Sequence, residues 1–239
     1  MYVVAVADDV TEIKYALAGV PWVTVVDEAA VVPEFNLHNL RGPSWFKQQI
    51  VKLWSHRLVQ TPYYLILDAD CVLLREITED MLCPGGKGLV QRQGYDWLWY
   101  KWFSGSMRLL SLNHLPPFPV NVTPYVMNAS LAGATVGRLF ELYGAKTVER
   151  MLHVAREDQW SEYTLYHCWS DYCQRFWSYH VLGPEYCVYC ECVWDSRQLE
   201  GFTLQPAIDR GTLFTVIQSN CKLSVDVVRA LVAPLGLEA

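Results

Sequence analysis

The sequence predicts an α/β fold with a mostly parallel central sheet flanked by helices. Three observations predict it. A short apolar run, Tyr63-Tyr64-Leu65-Ile66-Leu67, leads straight into Asp68-Ala69-Asp70 and then into a second apolar run, Cys71–Leu74. The first 26 residues read as strand, helix, strand, the order that a right-handed parallel crossover requires. A helix-period segment over 44–58 then precedes the 63–67 run, and helix into strand into an acidic pair is the order of a doubly wound sheet.

The elements follow in order. Residues 2–7 (Tyr-Val-Val-Ala-Val-Ala) form a strand, expected to be buried from its first residue, and Asp8 closes it. A helix covers Val10–Ala18, and Trp22–Val26 is a second strand ending at Asp27-Glu28. Pro33, Asn36, Asn39, Gly42 and Pro43 make 33–43 a loop. Ser44 is an N-cap for a helix to about Leu58, with Phe46, Ile50, Leu53 and Trp54 on its apolar side and Gln49, Lys52 and His56 on another face. The 63–67 strand comes next. Cys83–Gly88 is a turn, Leu89–Gln93 a strand, Tyr95–Phe103 a loop or short helix, and His114–Pro124 an irregular proline-rich stretch. Tyr125–Ala132 reads as a strand leading to Asn128, Val136–Arg156 as a long helix interrupted near Gly144, and Ser161–Phe176 as another helix. Short strands fall within 178–194, a last strand at Leu213–Gln218 and a final helix at Ser224–Leu231.

Composition narrows the function. With 239 residues, 52% of them hydrophobic and 18% charged, the chain can bury a substantial core and is not disordered. A net charge of −6 argues against nucleic acid as a partner, since phosphate backbones are held by basic surfaces. No apolar run reaches the ~20 residues of a membrane span. The N-terminal residues lack a basic leader and soon meet Asp8 and Asp9, which points to the cytoplasm and leaves the sequons at Asn121 and Asn128 without meaning.

The acidic pair carries the chemistry. In an open α/β sheet, ligands bind beyond the carboxyl ends of the strands. Two carboxylates there need a cation, and a divalent ion carrying a diphosphate meets that need, because Mg²⁺ and Mn²⁺ take oxygen ligands from one or two carboxylates plus substrate phosphates. An arbitrary Asp-x-Asp is more often a solvated turn, but the apolar runs on both sides of this one favour the metal-nucleotide reading.

Strand, Asp-x-Asp and strand behind a β-α-β unit resemble the GT-A class of nucleotide-sugar glycosyltransferases, whose sheet is Rossmann-like. More narrowly, Gly42-Pro43-Ser44-Trp45-Phe46-Lys47-Gln48-Gln49-Ile50-Val51-Lys52-Leu53 resembles the Gly-Trp-x-x-Gln-Gln-x-x-Lys-Leu helix of a bacterial and viral family of putative glycosyltransferases, and Trp160-Ser161-Glu162-Tyr163-Thr164-Leu165-Tyr166 resembles its Ser-Glu-Tyr segment. These blocks span about 120 residues in the right order. Pro43 and Ser44 separate Gly42 from Trp45, a departure from that family's compact Gly-Trp pair.

The resemblance implies one GT-A-like domain over 1–239, with a nucleotide-binding half (1–110) and an acceptor-binding half (111–239). It implies a metal-dependent glycosyltransferase using Mn²⁺ or Mg²⁺, a nucleotide-diphosphate sugar donor and a glycan or lipid-linked acceptor. Asp70 would bind the metal, and Asp68 the ribose or the metal through water. Asp8, Arg41, Gln49 and Lys52 would lie along the nucleotide-sugar cleft. Glu162, with Asp158 as the second candidate, would be the base that takes the acceptor proton. His180 would complete the metal shell, in competition with the Gln218-Ser219-Asn220 strand end, and Asn128 would bind sugar hydroxyls.

Each residue also has a plainer reading. Gln49 and Lys52 suit a solvated helix face, Asp8 a helix cap, Glu162 a structural carboxylate at a helix N-terminus, and His180 a core histidine. Cys187-x-x-Cys190-x-Cys192, with Cys168 or His180, has the makings of a zinc site, but the interleaved Val188, Tyr189, Val193 and Trp194 favour core cysteines. Trp97-Leu98-Trp99-Tyr100-Lys101-Trp102-Phe103 suits a cleft wall or core more than a membrane-interface anchor that would make the protein peripheral. Two other functions compete. A nucleotidyltransferase would show a glycine-rich basic loop near the N-terminus, where residues 5–20 hold only Gly19 and Lys14. A non-catalytic carbohydrate-binding subunit would bind sugar without metal-dependent turnover.

Overall fold

The computed structural model describes residues 1–37, 44–157 and 159–236. The chain runs through β1 (Tyr2–Ala5), α1 (Val10–Ala16), β2 (Thr24–Asp27), α2 (Glu28–Val31), α3 (Glu34–Leu37), α4 (Ser44–Trp54), β3 (Tyr63–Ile66), β4 (Cys71–Leu73), α5 (Glu79–Leu82) and β5 (Gly88–Gln91). It continues through α6 (Trp97–Leu110), β6 (Tyr125–Asn128), α7 (Ala129–Tyr143), α8 (Thr147–Glu157), α9 (Glu162–Tyr172), α10 (Phe176–Tyr179), β7 (His180–Gly183), α11 (Gln205–Asp209), β8 (Phe214–Val216) and α12 (Val225–Val232). It is a mixed α/β protein. Its strands, three or four residues long, pair as β1-β2, β3-β6, β4-β8 and β5-β7. β1-β2 and β5-β7 are parallel and β4-β8 is antiparallel. The expected continuous sheet is thus a set of short ladders, and the expected parallel β-α-β opening is present. β1 and α1 contain no buried residue, so the first strand is half-covered rather than buried.

The chain forms two compact units. The first comprises 1–64, 96–117 and 128–174, and the second 65–95, 118–127 and 175–239. The first unit is dominated by helices. In α4, Phe46, Ile50, Leu53 and Trp54 recur at helical spacing and all are buried. Each such side chain removed from water stabilises by ~1.5–3 kcal/mol. Phe46 meets buried Trp160 at 5.4 Å, which ties α4 to the segment leading into α9. Of residues 95–103, expected to be a loop or short helix, 97–103 open the 14-residue α6. The alternating tryptophans at 97, 99 and 102 hid a helical face of Trp99, Phe103, Ser106 and Leu110, all buried. Asp96 caps it, accepting from the N–H groups of Leu98 (2.9 Å) and Trp99 (3.0 Å). Trp97, Tyr100 and Lys101 remain exposed on its other face.

The 125–132 strand is shorter than expected, because Asn128 caps α7 and turns the next residue into a helix. The expected break near Gly144 is real: a 3-10 turn over Gly144–Lys146 separates α7 from α8, with Gly144 at φ 55°. In the second unit the core forms around Val90, Phe176, Val188, Phe214 and Val216. Of the strands expected in 178–194 only β7 forms; Tyr189 and Val193 make isolated parallel bridges to Phe214 and Ile217. β8 therefore has β4 on one side and the 189–193 segment on the other. Among the described residues, no helix is long and apolar enough to cross a membrane.

Candidate functional site

The second unit presents Asp68 and Asp70 on the turn between β3 and β4. The turn is closed by the Cys71 N–H donating to the Asp68 carbonyl at 3.1 Å. The Asp68 N–H donates to Thr123 Oγ1 at 3.0 Å, and Cys71 Sγ meets the same hydroxyl at 3.4 Å. Asp70 is fixed from the end of β8. The Ile217 N–H donates to its carbonyl at 3.0 Å, one step beyond the Cys71–Val216 pairing, and the Ser219 N–H donates to its Oδ2 at 3.0 Å. Both acids are half-buried. Asp70 pairs with no Lys or Arg among the described residues. The strand end Gln218-Ser219-Asn220, which competed with His180 for a place beside the metal, is the one that meets Asp70.

The donor chemistry suits a magnesium-type ion that shares its shell with phosphates. Such an ion needs only one or two carboxylates from the protein, and two carboxylates one residue apart on a pinned turn supply them. Among the described residues, no group of three His, Cys, Asp or Glu side chains could hold a metal. Cys71 does not join as a thiolate: burial, together with the charges of Asp68 and Asp70, outweighs the Thr123 hydrogen bond and pushes its thiol up to about 11.

His180 is not brought to these acids as a third ligand. Its ring is buried, stacked on Phe176 at 4.5 Å, with Nδ1 3.1 Å from the Gly88 carbonyl. Burial holds it neutral, down to about 4, against the opposing hydrogen bond to Gly88. Its packing explains Gly88, where a Cβ would come within 2.9 Å of that ring nitrogen. The cysteine cluster likewise forms no three-ligand group, and burial pushes Cys187 up to about 11 and Cys192 up to about 12. These are protonated core thiols.

The first unit brings Gln49, Lys52 and Glu162 together. Ser161 caps α9 in a capping box with Thr164, which places Glu162 in the first turn. The Glu162 side chain has no solvent exposure, and Lys52 Nζ lies 3.2 Å from its Oε1. Oriented with its nitrogen toward the carboxylate, the Gln49 amide donates to both Glu162 oxygens. Lys52 Nζ also donates to the Tyr163 hydroxyl at 3.4 Å and lies over that ring at 5.5 Å. From β3, the Tyr64 hydroxyl donates to the Lys52 carbonyl at 3.3 Å. Burial first, and the Glu162 charge second, raise that hydroxyl far above the usual tyrosine range.

This cluster corrects three expectations. Gln49 and Lys52, 2% and 9% exposed, are neither a solvated face nor a cleft lining, because their polar ends are turned onto Glu162. Glu162 is not presented to an acceptor, since its carboxylate is sealed and engaged by a cation and an amide. The resemblance had placed these residues in a cleft; the structure makes them a buried joint between α4 and α9.

Asn128 is a second joint. Its Oδ1 accepts from the Leu131 N–H (3.1 Å), its Nδ2 donates to the Pro62 carbonyl (3.1 Å), and its backbone N–H donates to the Tyr166 hydroxyl (3.1 Å). At 2% exposure it is not available to sugar hydroxyls. Asp8 is exposed just beyond β1 and caps no helix, which leaves its carboxylate open at a strand's carboxyl end. Arg41 and Asp158 lie outside the described residues. Thr123, which also holds the acidic turn, was not expected to do so: its contact crosses from a distant segment and leaves no local pattern.

A family model described as a family of unknown function matches residues 1–238. The chain belongs to DUF6492. No curated protein matches it. In this DUF6492 chain the acidic turn is the part of the expected site that keeps half-exposed carboxylates on a rigid frame.

Proposed function

We propose that this DUF6492 protein is a metal-dependent glycosyltransferase of GT-A-like build, transferring a sugar from a nucleotide-diphosphate donor to a glycan or lipid-linked acceptor. The observation that carries this reading is the Asp68–Asp70 turn at the end of β3, pinned by Thr123 and by the backbone of Ile217 and Ser219. Asp70, with Asp68 beside it, would hold Mn²⁺ or Mg²⁺. When bound, such an ion offsets the negative charge that builds on a departing nucleoside diphosphate. The Ser219 N–H holds the Asp70 carboxylate and the Ile217 N–H its carbonyl before any ligand arrives, which lowers the ordering cost of binding. Asp8 supports the reading as an open carboxylate at the end of a parallel strand, where base and ribose are bound in folds of this kind. The exposed Trp97, Tyr100 and Lys101 on α6 support peripheral contact with a membrane that carries the acceptor.

Calorimetry with UDP, GDP and dTDP, each with and without Mn²⁺, tests the proposal. One nucleotide is expected to bind only with the metal, and Asp70→Ala is expected to weaken that binding at least ~100-fold, about 2.7 kcal/mol. Equal affinity of the variant in Mn²⁺, or no metal-dependent binding by the native chain, overturns it.

A further inference from the structure

A cavity of about 350 Å³ opens in the second unit, within the size range of small-ligand sites. Arg92, Glu185, Tyr186, Glu191, Trp194 and Arg210 line it. Two of these hold a backbone conformation that a side chain disfavours, Tyr186 at φ 63° and Glu191 at φ 48°. Such strain gathers at ligand sites and persists only where the surroundings enforce it. They do so here. Thr212 Oγ1 donates to the Tyr186 carbonyl at 2.8 Å, and Thr215 Oγ1 to the Glu191 carbonyl at 2.7 Å. Arg210 donates to Glu191 Oε1 at 2.6 Å and lies over the Tyr186 ring at 5.3 Å. Behind them, buried Gln91 accepts from the N–H groups of Val188 (2.9 Å) and Tyr189 (3.2 Å). The wall is built and held.

Arg92 and Glu185 differ from that pinned set. Both are exposed at the cavity, and neither pairs with an opposite charge among the described residues; the Arg92 guanidinium rests over the Phe118 ring at 4.8 Å. A guanidinium only donates and a carboxylate only accepts. An anionic ligand would face Glu185 and Glu191, and a cationic one would face Arg92. A polyol satisfies both, because each hydroxyl donates and accepts. Tyr186 and Trp194, 49% and 38% exposed, add aromatic faces for the C–H side of a sugar ring.

We infer that this cavity binds a neutral pyranose residue of a glycan, with Arg92 and Glu185 dividing its hydroxyls and Tyr186 and Trp194 covering its apolar face. That the sugar is the acceptor rests on the glycosyltransferase reading; that the cavity takes it does not. Arg210 is a positioning residue: its Nη1 donates to Glu191 Oε1 and its guanidinium lies over the Tyr186 ring.

Saturation-transfer NMR on the full chain tests this with the methyl pyranosides of glucose, galactose and mannose, beside methyl glucuronide and glucose 6-phosphate, with and without UDP and Mn²⁺. At least one neutral glycoside is expected to receive transfer, stronger than either charged sugar. Arg92→Gln, Glu185→Gln and Trp194→Leu are each expected to cut it at least five-fold while the melting curve stays in place. No transfer to any neutral glycoside, transfer indifferent to all three substitutions, or a preference for the charged sugars overturns the inference. Sugar binding without metal-dependent nucleotide binding overturns the transferase reading alone, and the reverse result overturns the cavity alone.

Discussion

Glu162 and Asp70 are carboxylates from two of the sequence blocks that suggested a transferase, and the fold treats them in opposite ways. Glu162 is fully enclosed, with its charge matched by Lys52 and its oxygens hydrogen-bonded by Gln49. Asp70 is half-exposed, its carboxylate held by the Ser219 N–H and by no side-chain cation among the described residues. A charge matched internally has nothing left for a ligand; a half-exposed carboxylate with no side-chain cation beside it stays open to one. The two therefore divide into a group that maintains the fold and a group left accessible to a ligand.

The largest expected effect tests the enclosed half of that contrast. Lys52→Met removes the cation and leaves Glu162 buried without it, which is expected to cost ~3–5 kcal/mol in urea unfolding. Lys52→Met with Glu162→Gln is expected to recover most of that loss, because no uncompensated charge remains. If the double variant is as unstable as the single one, the pair is not acting through charge compensation. Asp70→Ala should behave in the opposite manner. Its loss of nucleotide affinity is expected to be large, while its stability to urea unfolding falls by only ~1 kcal/mol, the worth of one partly exposed hydrogen bond. A collapse of stability in Asp70→Ala would make the acidic turn as structural as the buried cluster and would erase the contrast.

Much of this was legible in the sequence, for reasons the residues make plain. The β1-α1-β2 opening, the apolar stripe of α4, the strand before Asp68, the helix starting at Ser161 and the break at Gly144 are all local patterns, and local patterns survive in a single sequence. The helix α6 was read only as a loop or short helix because tryptophans at 97, 99 and 102 mask its 3.6-residue period. The fate of Gln49, Lys52 and Glu162 was illegible for another reason. A helix face bearing Gln and Lys reads as solvated unless one knows that a carboxylate more than a hundred residues later will be buried against it. The motif matches drew Gln49, Lys52 and Glu162 together without showing that their side chains are buried on one another, since a resemblance carries position more faithfully than burial. Thr123 was missed because a hydroxyl has no signature until the chain closes on it.

His180 extends the contrast to a group that is buried and neutral. Its ring titrates at about 4 in the fold, below its ordinary value of 6.5, because burial penalises the charged form. The unfolded chain therefore takes up a proton at this ring before the folded chain does. Stability from the neutral ring is complete above the ordinary value, is lost as pH falls, and levels off below about 4. Between neutral pH and about pH 5 the loss is expected to be about 2 kcal/mol. Urea unfolding of the native chain and His180→Phe at both pH values isolates this ring, since every other group titrates in both proteins. The stability difference between them should narrow by that amount at the lower pH, and an unchanged difference would mean that the ring accepts its proton in the folded state.

Asp96 supplies the smallest effect and the surface end of the series. It is exposed, and its Oδ1 accepts from the N–H groups of Leu98 and Trp99 at the start of α6. Water competes for both bonds, and no desolvated charge is stranded when the carboxylate goes. Asp96→Ala is therefore expected to cost ~1 kcal/mol, as for other N-caps, and Asp96→Asn to cost a few tenths because the amide oxygen still caps. Raising the salt should leave the Asn variant unmoved and shrink the small difference between Asp and Asn, which arises from the carboxylate's interaction with the helix dipole. A loss of several kcal/mol in the Ala variant would place Asp96 with Glu162 and would mean that burial does not rank the carboxylates of this chain.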